Sequence, residues 1–272
     1  MDILTPLLPL LALLSAVGAF AGLLAGLLGI GGGLVLVPAF FYVFSHLGYG
    51  GAQLMQLCVG TSLATIVLTS ARSAQAHHAK GAVDWGILRS WAPFVMLGAG
   101  IGVWIAAQIS SAAMQFVFGA VAGLAGLYMA FGRPEWRLGA KLPPQPARAV
   151  LAGGAGLGSA LMGIGGGTFA VPIMTLYNVP IHRAVATASG LGVLIALPAS
   201  LGFMLLDVAA APPFSTGAVN WAAFAAVSLG TMITAPWGAA LAHRMNPKPL
   251  KRIFALFITL VALNMLRKAL GY

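Results

Sequence analysis

Long apolar runs, broken by short stretches of glycine, proline or charged residues, fill most of the chain. Lipid offers backbone groups no hydrogen-bond partner, so a chain that crosses a membrane must form helices or a closed barrel. Barrel strands alternate in polarity over about ten residues, and these runs do not alternate. The pattern therefore predicts ten hydrophobic helical segments in two sets of five. They cover 6–28, 33–48, 53–71, 90–108 and 113–132, and then 149–163, 167–178, 184–206, 219–241 and 252–270.

A polar, proline-rich stretch separates the two sets of segments. It includes Glu135, Lys141 and a pair of adjacent prolines, Pro143 and Pro144. Such a composition is typical of a connecting loop. We therefore predict three parts, which are an N-terminal unit at 1–132, a linker at 133–148 and a C-terminal unit at 149–272.

The composition indicates a membrane protein. Of the 272 residues, 60% are hydrophobic and 7% are charged, whereas about a quarter of the residues in a soluble domain are charged. A membrane helix uses about 20 apolar residues, so ten segments leave only short loops. We expect an all-α integral membrane protein.

The two units are copies of one another. The sequence GIGGGLVLVP at 29–38 recurs as GIGGGTFAVP at 163–172, with seven of ten positions identical. The sequence GAVDW at 81–85 recurs as GAVNW at 217–221. Because internal repeats decide the architecture of a chain, we predict two repeats of about five hydrophobic segments each.

Equivalent loops of the two repeats differ in charge. The loop at 72–89 carries three basic residues, whereas its counterpart at 207–218 carries Asp207 and no base. The loop at 109–112 is uncharged, whereas its counterpart at 242–252 carries four basic residues. Cytoplasmic loops hold the excess of Lys and Arg, so the repeats are predicted to have inverted topology. The basic residues thus indicate membrane orientation and not a nucleic-acid partner; only Arg267 and Lys268 fall on the predicted outer side.

The duplicated glycine motifs interrupt apolar sequence at membrane depth. A broken or re-entrant helix is tolerated there only when protein or a cavity surrounds it, and each break would expose the backbone N–H groups at the start of a short helix. An oxyanion could approach such a terminus closely. The alternative is that these glycines only permit tight helix packing. Their duplication favours substrate binding, with six candidates: Gly31, Gly32, Gly33, Gly165, Gly166 and Gly167.

Hydroxyl side chains follow both glycine motifs. They are Thr61 and Ser62 in the first repeat and Thr187 and Ser189 in the second, while Thr168 lies at the start of the second short helix. Each of them could donate a hydrogen bond to an oxyanion. The alternative is a hydrogen bond to the carbonyl four residues earlier in the same helix.

These motifs resemble the sulfite exporter TauE/SafE family. The resemblance rests on the duplicated glycine-rich break followed by Val-Pro, on Gly60-Thr61-Ser62, and on the stretch from Lys80 to Asp84. It covers nearly the whole chain, and the second repeat departs from it by placing Val-Ala-Thr-Ala-Ser at 185–189. The resemblance implies a permease of the cytoplasmic (inner) membrane that exports sulfite or an organosulfonate, or takes up another small anion.

The remaining polar residues carry weaker signals. Arg72 and Arg183 are candidates for gating or charge compensation, although extension to the membrane interface is the simpler interpretation. His77 and His78 are predicted to lie in a solvated loop at the interface. A lone cysteine and scattered histidines predict no metal site and no cofactor. All four carboxylates lie in or beside loops, so no carboxylate proton relay is expected.

The sequence therefore predicts a secondary transporter, and not an enzyme, for a small sulfur oxyanion bound between two short helices. Its partners would be the anion and membrane lipid, and its oligomeric state stays open. A passive anion channel and an uptake permease for another small anion are the alternatives within transport. A membrane-embedded enzyme is disfavoured, because no nucleophile and base are paired at core depth.

Overall fold

A computed structural model describes residues 7–29, 31–132, 136–242 and 248–270, with side chains described from residue 12 onward except at 248–254. The helices are α1 (Leu7–Leu28), α2 (Gly33–His46), α3 (Leu54–His78), α4 (Trp85–Gln108), α5 (Ser111–Phe131), α6 (Ala147–Met162), α7 (Gly167–Leu176), α8 (Ile181–Met204), α9 (Trp221–Ala242) and α10 (Lys248–Ala269). A single 3₁₀ turn, Gly51–Gln53, leads into α3. Two short antiparallel strands, β1 (Ser215–Thr216) and β2 (Val219–Asn220), precede α9, and Ser215 lies opposite Asn220.

Each predicted segment corresponds to one of these helices, and most bounds agree within a few residues. The largest difference is at α3, which continues seven residues past the predicted end at 71. Polar residues occupy most of that last part of α3, and two of them, Ser73 and His77, are buried against other helices. A segment predicted from hydropathy ends where polar residues begin. Hydropathy alone does not show that such residues can continue a helix when they face other helices instead of lipid.

Five of the described helices are long and apolar enough to cross a membrane: α3 with its leading 3₁₀ turn, α4, α5, α8 and α9. The described part also contains shorter apolar helices, among them α2, α6 and α7. The ten-residue α7 rises about 15 Å, about half the thickness of the hydrocarbon core. The prediction of an all-α membrane protein is confirmed.

Glycine residues bring two pairs of helices into backbone contact. On the α1–α9 interface, a Cβ atom at Gly26 would overlap the carbonyl oxygen of Ala235. On the α4–α6 interface, a Cβ atom at Gly98 would overlap the carbonyl oxygen of Gly153. Small residues permit this close packing, which drives helix association where lipid removes the hydrophobic effect.

Helix directions follow from the same contacts. Helices α1 and α9 run parallel, since Gly18 lies beside Val227 and Gly26 beside Ala235. In contrast, α3 and α8 run antiparallel at the centre of the molecule, since Gly60 lies beside Phe203 and Gly192 beside Ser70. Helices α5 and α10 are also antiparallel, with Gly119 beside Leu266 and Gly126 beside Thr259.

These directions place the basic loops on one side of the molecule. The ends of α3, α5 and α9 and the starts of α4, α6 and α8 share this side, which we call the basic face. Its described cations are Arg72, Lys80, Arg89, Arg137, Lys141, Arg148 and Arg183. The excess of positive charge identifies the basic face as cytoplasmic.

Two described cations lie on the opposite side, as the sequence indicated. The ammonium group of Lys268 lies 4.5 Å from the ring centroid of Tyr42 and 5.2 Å from that of Phe41. Cation–π attraction to two rings stabilises a charge in this position. The Lys268 side chain is therefore held by α2 despite its location on the less basic side.

Gly98→Ala should destabilise the protein, because the new methyl group would overlap the backbone of α6. We expect a loss of about 1–3 kcal/mol, typical of overpacking, seen as a lower thermal unfolding temperature in detergent. Gly100→Ala is the matched control, since nothing lies within 4 Å of a Cβ atom at Gly100 on the same helix. Equal unfolding temperatures for the two variants would contradict the α4–α6 contact.

Candidate functional site

The two glycine motifs contact each other in the middle of the molecule. The first lies between the end of α1 at Leu28 and the start of α2 at Gly33, and the second between α6 and α7. A Cβ atom at Gly31 would lie 2.8 Å from the Cα atom of Gly165, and one at Gly33 would overlap the carbonyl oxygen of Gly163. Ile66, at the midpoint of α3, touches both Gly31 and Gly33. The chain breaks of the two repeats therefore lie side by side at mid-depth.

Backbone conformation differs between the two copies. Gly32, which precedes α2, has φ 83° in the left-handed region, whereas its counterpart Gly166 has φ −57°. A side chain at Gly32 would thus be strained. At Gly166 the φ angle suits any residue, but a side chain would be crowded, because a Cβ atom there would lie 3.0 Å from the carbonyl oxygen of Ala188.

Each glycine motif packs against the long central helix of the other repeat. A Cβ atom at Gly29 would lie 2.6 Å from the carbonyl oxygen of Val185 in α8. A Cβ atom at Gly163 would lie 2.9 Å from the Cα atom of Val59 in α3. In addition, the Ser62 hydroxyl donates a 2.7 Å hydrogen bond to the carbonyl of Gly163. The candidate residue Ser62 therefore binds the backbone of the second motif.

Two of the candidate threonines bind helix N-termini. The hydroxyl oxygen of Thr61 accepts from the N–H of Asn220 at 3.0 Å, and that of Thr187 accepts from the N–H of Asp84 at 2.9 Å. The Asp84 side chain caps α4 by accepting a hydrogen bond from the Ile87 N–H. In the same way, the Asn220 side chain caps α9 by accepting from the Ala223 N–H. The two repeats thus use Thr61 and Thr187 in the same way, each across the boundary between the repeats.

Candidate hydroxyls also bond within their own helices. Thr61 donates to the carbonyl of Leu57 at 2.7 Å, and Ser189 donates to that of Val185 at 3.1 Å. Both are bonds to the carbonyl four residues earlier, the alternative considered from the sequence. Ser189 also lies 3.0 Å from the hydroxyl of Ser73 and joins α8 to α3.

Thr168 differs from the other candidate hydroxyls. Its side chain is buried, and its hydroxyl oxygen has no hydrogen-bond partner among the described residues. It lies in the first turn of α7, and no side chain caps this helix. A buried polar group without a partner costs free energy, so Thr168 is the candidate hydroxyl with capacity for a ligand.

A cavity of about 350 Å³ adjoins Thr168. Its walls come from the ends of α1 and α3, the first turns of α2, α7 and α8, and the second half of α5. These elements place the cavity on the basic face. Most of its lining is apolar, and its side chains with polar groups are Thr168, His77, His182 and Tyr128. The first repeat contributes Leu34, which occupies the position equivalent to Thr168 in the duplicated motif.

The structure corrects the prediction for His77. It lies in α3 and not in a loop, its side chain is 1% exposed, and it lines the cavity. Its Nε2 atom lies 3.0 Å from the carbonyl oxygen of Gly26 in α1. Its neighbour His78 is exposed and packs edge-on against the ring of Trp85. The spacing of Ser70, Ser73 and His77 along one helix face was the signal in the sequence.

The two candidate arginines lie outside the cavity. Arg72 is exposed near the end of α3. Arg183 is also exposed, and its guanidinium lies 3.8 Å from a carboxylate oxygen of Asp84, so that it connects the start of α8 to the start of α4. Neither residue is part of the cavity lining.

Metal-binding groups are not assembled in the part of the chain that the structure describes. No cluster of three His, Cys, Asp or Glu side chains occurs among those residues. Cys58 is a buried free thiol in α3. The two described carboxylates, Asp84 and Asp207, lie outside the helices.

The chain is similar to a known family of membrane transporters. The sequence model of the family described as "Sulfite exporter TauE/SafE" matches residues 14–265. A Haemophilus influenzae protein described as "Probable membrane transporter protein" is 33% identical over 255 residues, which cover 93% of this chain and 96% of that protein. A Bacillus subtilis protein described as "Probable membrane transporter protein YunE" is 26% identical over 280 residues, which cover 93% of this chain and 96% of that protein. No solved structure matches the chain.

The hydrogen bonds at the helix starts predict a structural role for Thr187. Thr187→Val removes the buried hydroxyl that accepts from the Asp84 N–H and should lower the free energy of unfolding by about 1–3 kcal/mol. Thr187→Ser keeps the hydroxyl and is the control, with the wild-type stability within about 1 kcal/mol. Chemical or thermal unfolding in detergent measures both. A Val variant as stable as the Ser variant would show that this bond does not stabilise the fold.

Proposed function

Because the chain belongs to the sulfite exporter TauE/SafE family, we propose that it is a secondary transporter that exports a small sulfur oxyanion, such as sulfite or an organosulfonate, across the cytoplasmic membrane. Membrane transport follows from the family. The substrate, the direction of transport and the site residues are the proposal, and the cavity and the short helices support them.

The observation that carries the proposal is the unpartnered hydroxyl of Thr168 beside the cavity. An oxyanion there would accept a hydrogen bond from this hydroxyl and from the N–H groups of the first turn of α7, including those of Gly167 and Thr168. The start of α2 lies against the same glycine contact. Two helix N-termini supply about one positive charge in total, which matches a monoanion or dianion.

The duplicated motifs have unequal roles in this proposal. Gly31, Gly33 and Gly165 form the contact between the repeats, Gly32 and Gly166 permit it, and Gly167 begins the binding turn. The hydroxyls of Thr61, Ser62, Thr187 and Ser189 hold the surrounding backbone. Thr168 is left as the hydroxyl that contacts the substrate.

Helix directions support an inverted-topology repeat. Helices α3 and α8 are equivalent segments of the two repeats and run antiparallel, as do the equivalent helices α5 and α10. Helix α1 packs on α9, and its counterpart α6 packs on α4, the counterpart of α9. Repeats related in this way exchange access by rocking against each other around a fixed site.

The position of the cavity favours export. It lies on the side of the basic face, from which cytoplasmic anions would enter. A membrane potential that is negative inside drives anions outward, with about 2.3 kcal/mol per charge for each 100 mV. An uptake permease would instead have to oppose this potential or couple to another ion.

The contact between Gly31 and Gly165 favours a carrier over a passive channel. The glycine motifs touch at mid-depth. The buried Ser62 hydroxyl of α3 binds the carbonyl of Gly163 in the second motif, and Ser73 of α3 contacts Ser189 of α8. These contacts leave no open pore between the two motifs, which favours transport by relative movement of the repeats, as in alternating access.

The test replaces Thr168 and measures exchange of labelled sulfite against internal unlabelled sulfite in proteoliposomes, because trans-stimulation distinguishes a carrier from an open pore. Thr168→Val removes one hydrogen bond to a charged group and should reduce exchange at low sulfite concentration by about 10- to 100-fold. Thr168→Ser should retain most of the activity.

Ser228→Ala is the matched control, since the Ser228 hydroxyl is also buried without a described partner but does not line the cavity. It should exchange sulfite at the wild-type rate. Wild-type exchange by the Val variant would exclude Thr168 from the site, and fast flux without trans-stimulation would indicate a channel.

A further inference from the structure

Two cations on the less basic side are an exception to the charge distribution of the molecule. Arg267 and Lys268 lie in the last turn of α10, on the side opposite the basic face, which we call the outer face. Both side chains are exposed, and neither forms an ion pair with a carboxylate of the described residues. Positive charge is normally scarce on this side of a membrane protein. An anionic partner from outside the chain would account for it.

Lys268 belongs to the wall of a surface pocket between α1, α2 and α10. The pocket has a volume of about 430 Å³, and no acidic side chain lines it among the described residues. Most of its lining side chains are exposed. They are Leu13, Tyr42, Val43, Ser45, His46 and Lys268. The first repeat thus supplies aromatic, hydroxyl and imidazole groups, and the second repeat supplies the cation.

Aromatic rings hold the ammonium group of Lys268 in place. It lies 4.5 Å from the ring centroid of Tyr42 and 5.2 Å from that of Phe41. This attraction orients the long side chain but does not cancel its charge. No hydrogen bond joins the ammonium group to another described residue. Its N–H groups are therefore available to an anion in the pocket.

The depth of the pocket matches the headgroup level of a bilayer. His46 is the last residue of α2, and Lys268 is the last but one of α10. The pocket therefore lies where two apolar helices end. Lys and Tyr side chains at such ends extend to the membrane interface, which is also the level of the lipid headgroups.

Apolar surface continues from the pocket toward the membrane centre. Leu13 lies at the pocket, and Phe20 lies about 10 Å further along α1, where its ring packs edge-on against that of Phe257 in α10. Leu260 and Leu263 of α10 are exposed beside this contact. An acyl chain can follow the surface of α1 and α10 while its headgroup occupies the pocket. A free inorganic anion would use the pocket alone.

We propose that this pocket binds the phosphate group of an anionic phospholipid in the outer leaflet, with Lys268 as the charge partner. Ser45 and His46 supply further hydrogen-bond donors to the phosphate oxygens. A headgroup with net negative charge fits better than a zwitterionic one, because no described carboxylate lines the pocket to receive a positive group. The bound lipid joins α2 of the first repeat to α10 of the second. The site shares no lining residue with the cavity at Thr168, so it does not depend on the transported anion.

Photocrosslinking of the full-length protein in phosphatidylcholine vesicles tests the proposal. The probe is a small fraction of phosphatidylglycerol with a photoreactive group beside the glycerol, and mass spectrometry quantifies labelled peptides that contain residues 42–46. One cation near a membrane surface raises the affinity for anionic lipid about fivefold. These peptides should therefore be labelled at least about fivefold more than by a phosphatidylcholine probe with the same reactive group. Unlabelled phosphatidylglycerol should compete, whereas inorganic phosphate should not.

Variants of the two cations locate the effect. Lys268→Gln should lower the labelling at 42–46 at least about fivefold, and Lys268→Arg should retain it. Arg267→Gln is the matched control, since it removes the same charge one residue away but does not line the pocket. Its labelling should stay within about twofold of wild type, because solvent screens a charge outside the pocket. Labelled peptides from the basic face serve as the folding control and should not change.

Three results would overturn the inference. Equal labelling by the two probes, or equal labelling of wild type and Lys268→Gln, would show that the pocket does not select an anionic lipid. Equal losses in Lys268→Gln and Arg267→Gln would indicate a general effect of charge and not a pocket. Displacement of the probe by inorganic phosphate would indicate a site for a free anion instead of a lipid.

Discussion

Broken helices inside a membrane leave backbone groups that lipid cannot satisfy, and the fold depends on how those groups are enclosed. The two glycine motifs solve this by contacting each other, with Gly31 against Gly165 and Gly33 against Gly163. The Ser62 hydroxyl then satisfies the carbonyl of Gly163. Only residues without a side chain permit this approach, and at Gly32 the positive φ adds a second requirement for glycine.

The two glycine motifs and the hydrogen bonds that support them occur in both repeats, but the proposed site is not symmetric. Thr61 and Thr187 hold equivalent helix starts across the boundary between repeats, so the supporting bonds occur twice. Thr168 occurs once, because the equivalent residue of the first repeat is Leu34. The unpartnered hydroxyl of Thr168 adjoins the cavity on the basic face, so the proposed site belongs mainly to the second repeat. His77, from the first repeat, also lines this cavity.

The sequence predicted the helical membrane fold and the position of nearly every helix, because apolar runs and glycine breaks report directly on lipid and backbone constraints. It did not predict the length of α3, whose last turns carry buried polar residues such as Ser73 and His77. It also could not separate Thr168 from Thr61. Both are hydroxyls in apolar helices, and the difference depends on the distant N–H of Asn220, which is 159 positions away from Thr61.

The most direct test of the central claim, that the start of α7 binds a small oxyanion, is ligand-dependent thermal stability of the purified protein. Sulfite, thiosulfate, sulfate, an organosulfonate and matched chloride would be compared for wild type and Thr168→Val. A ligand that binds the folded state stabilises it by about 2.7 kcal/mol at a hundredfold excess over its dissociation constant. The account predicts a rise in unfolding temperature with a sulfur oxyanion but not with chloride, and its loss in the Val variant. An equal rise in both proteins, or none with any sulfur anion, would contradict it.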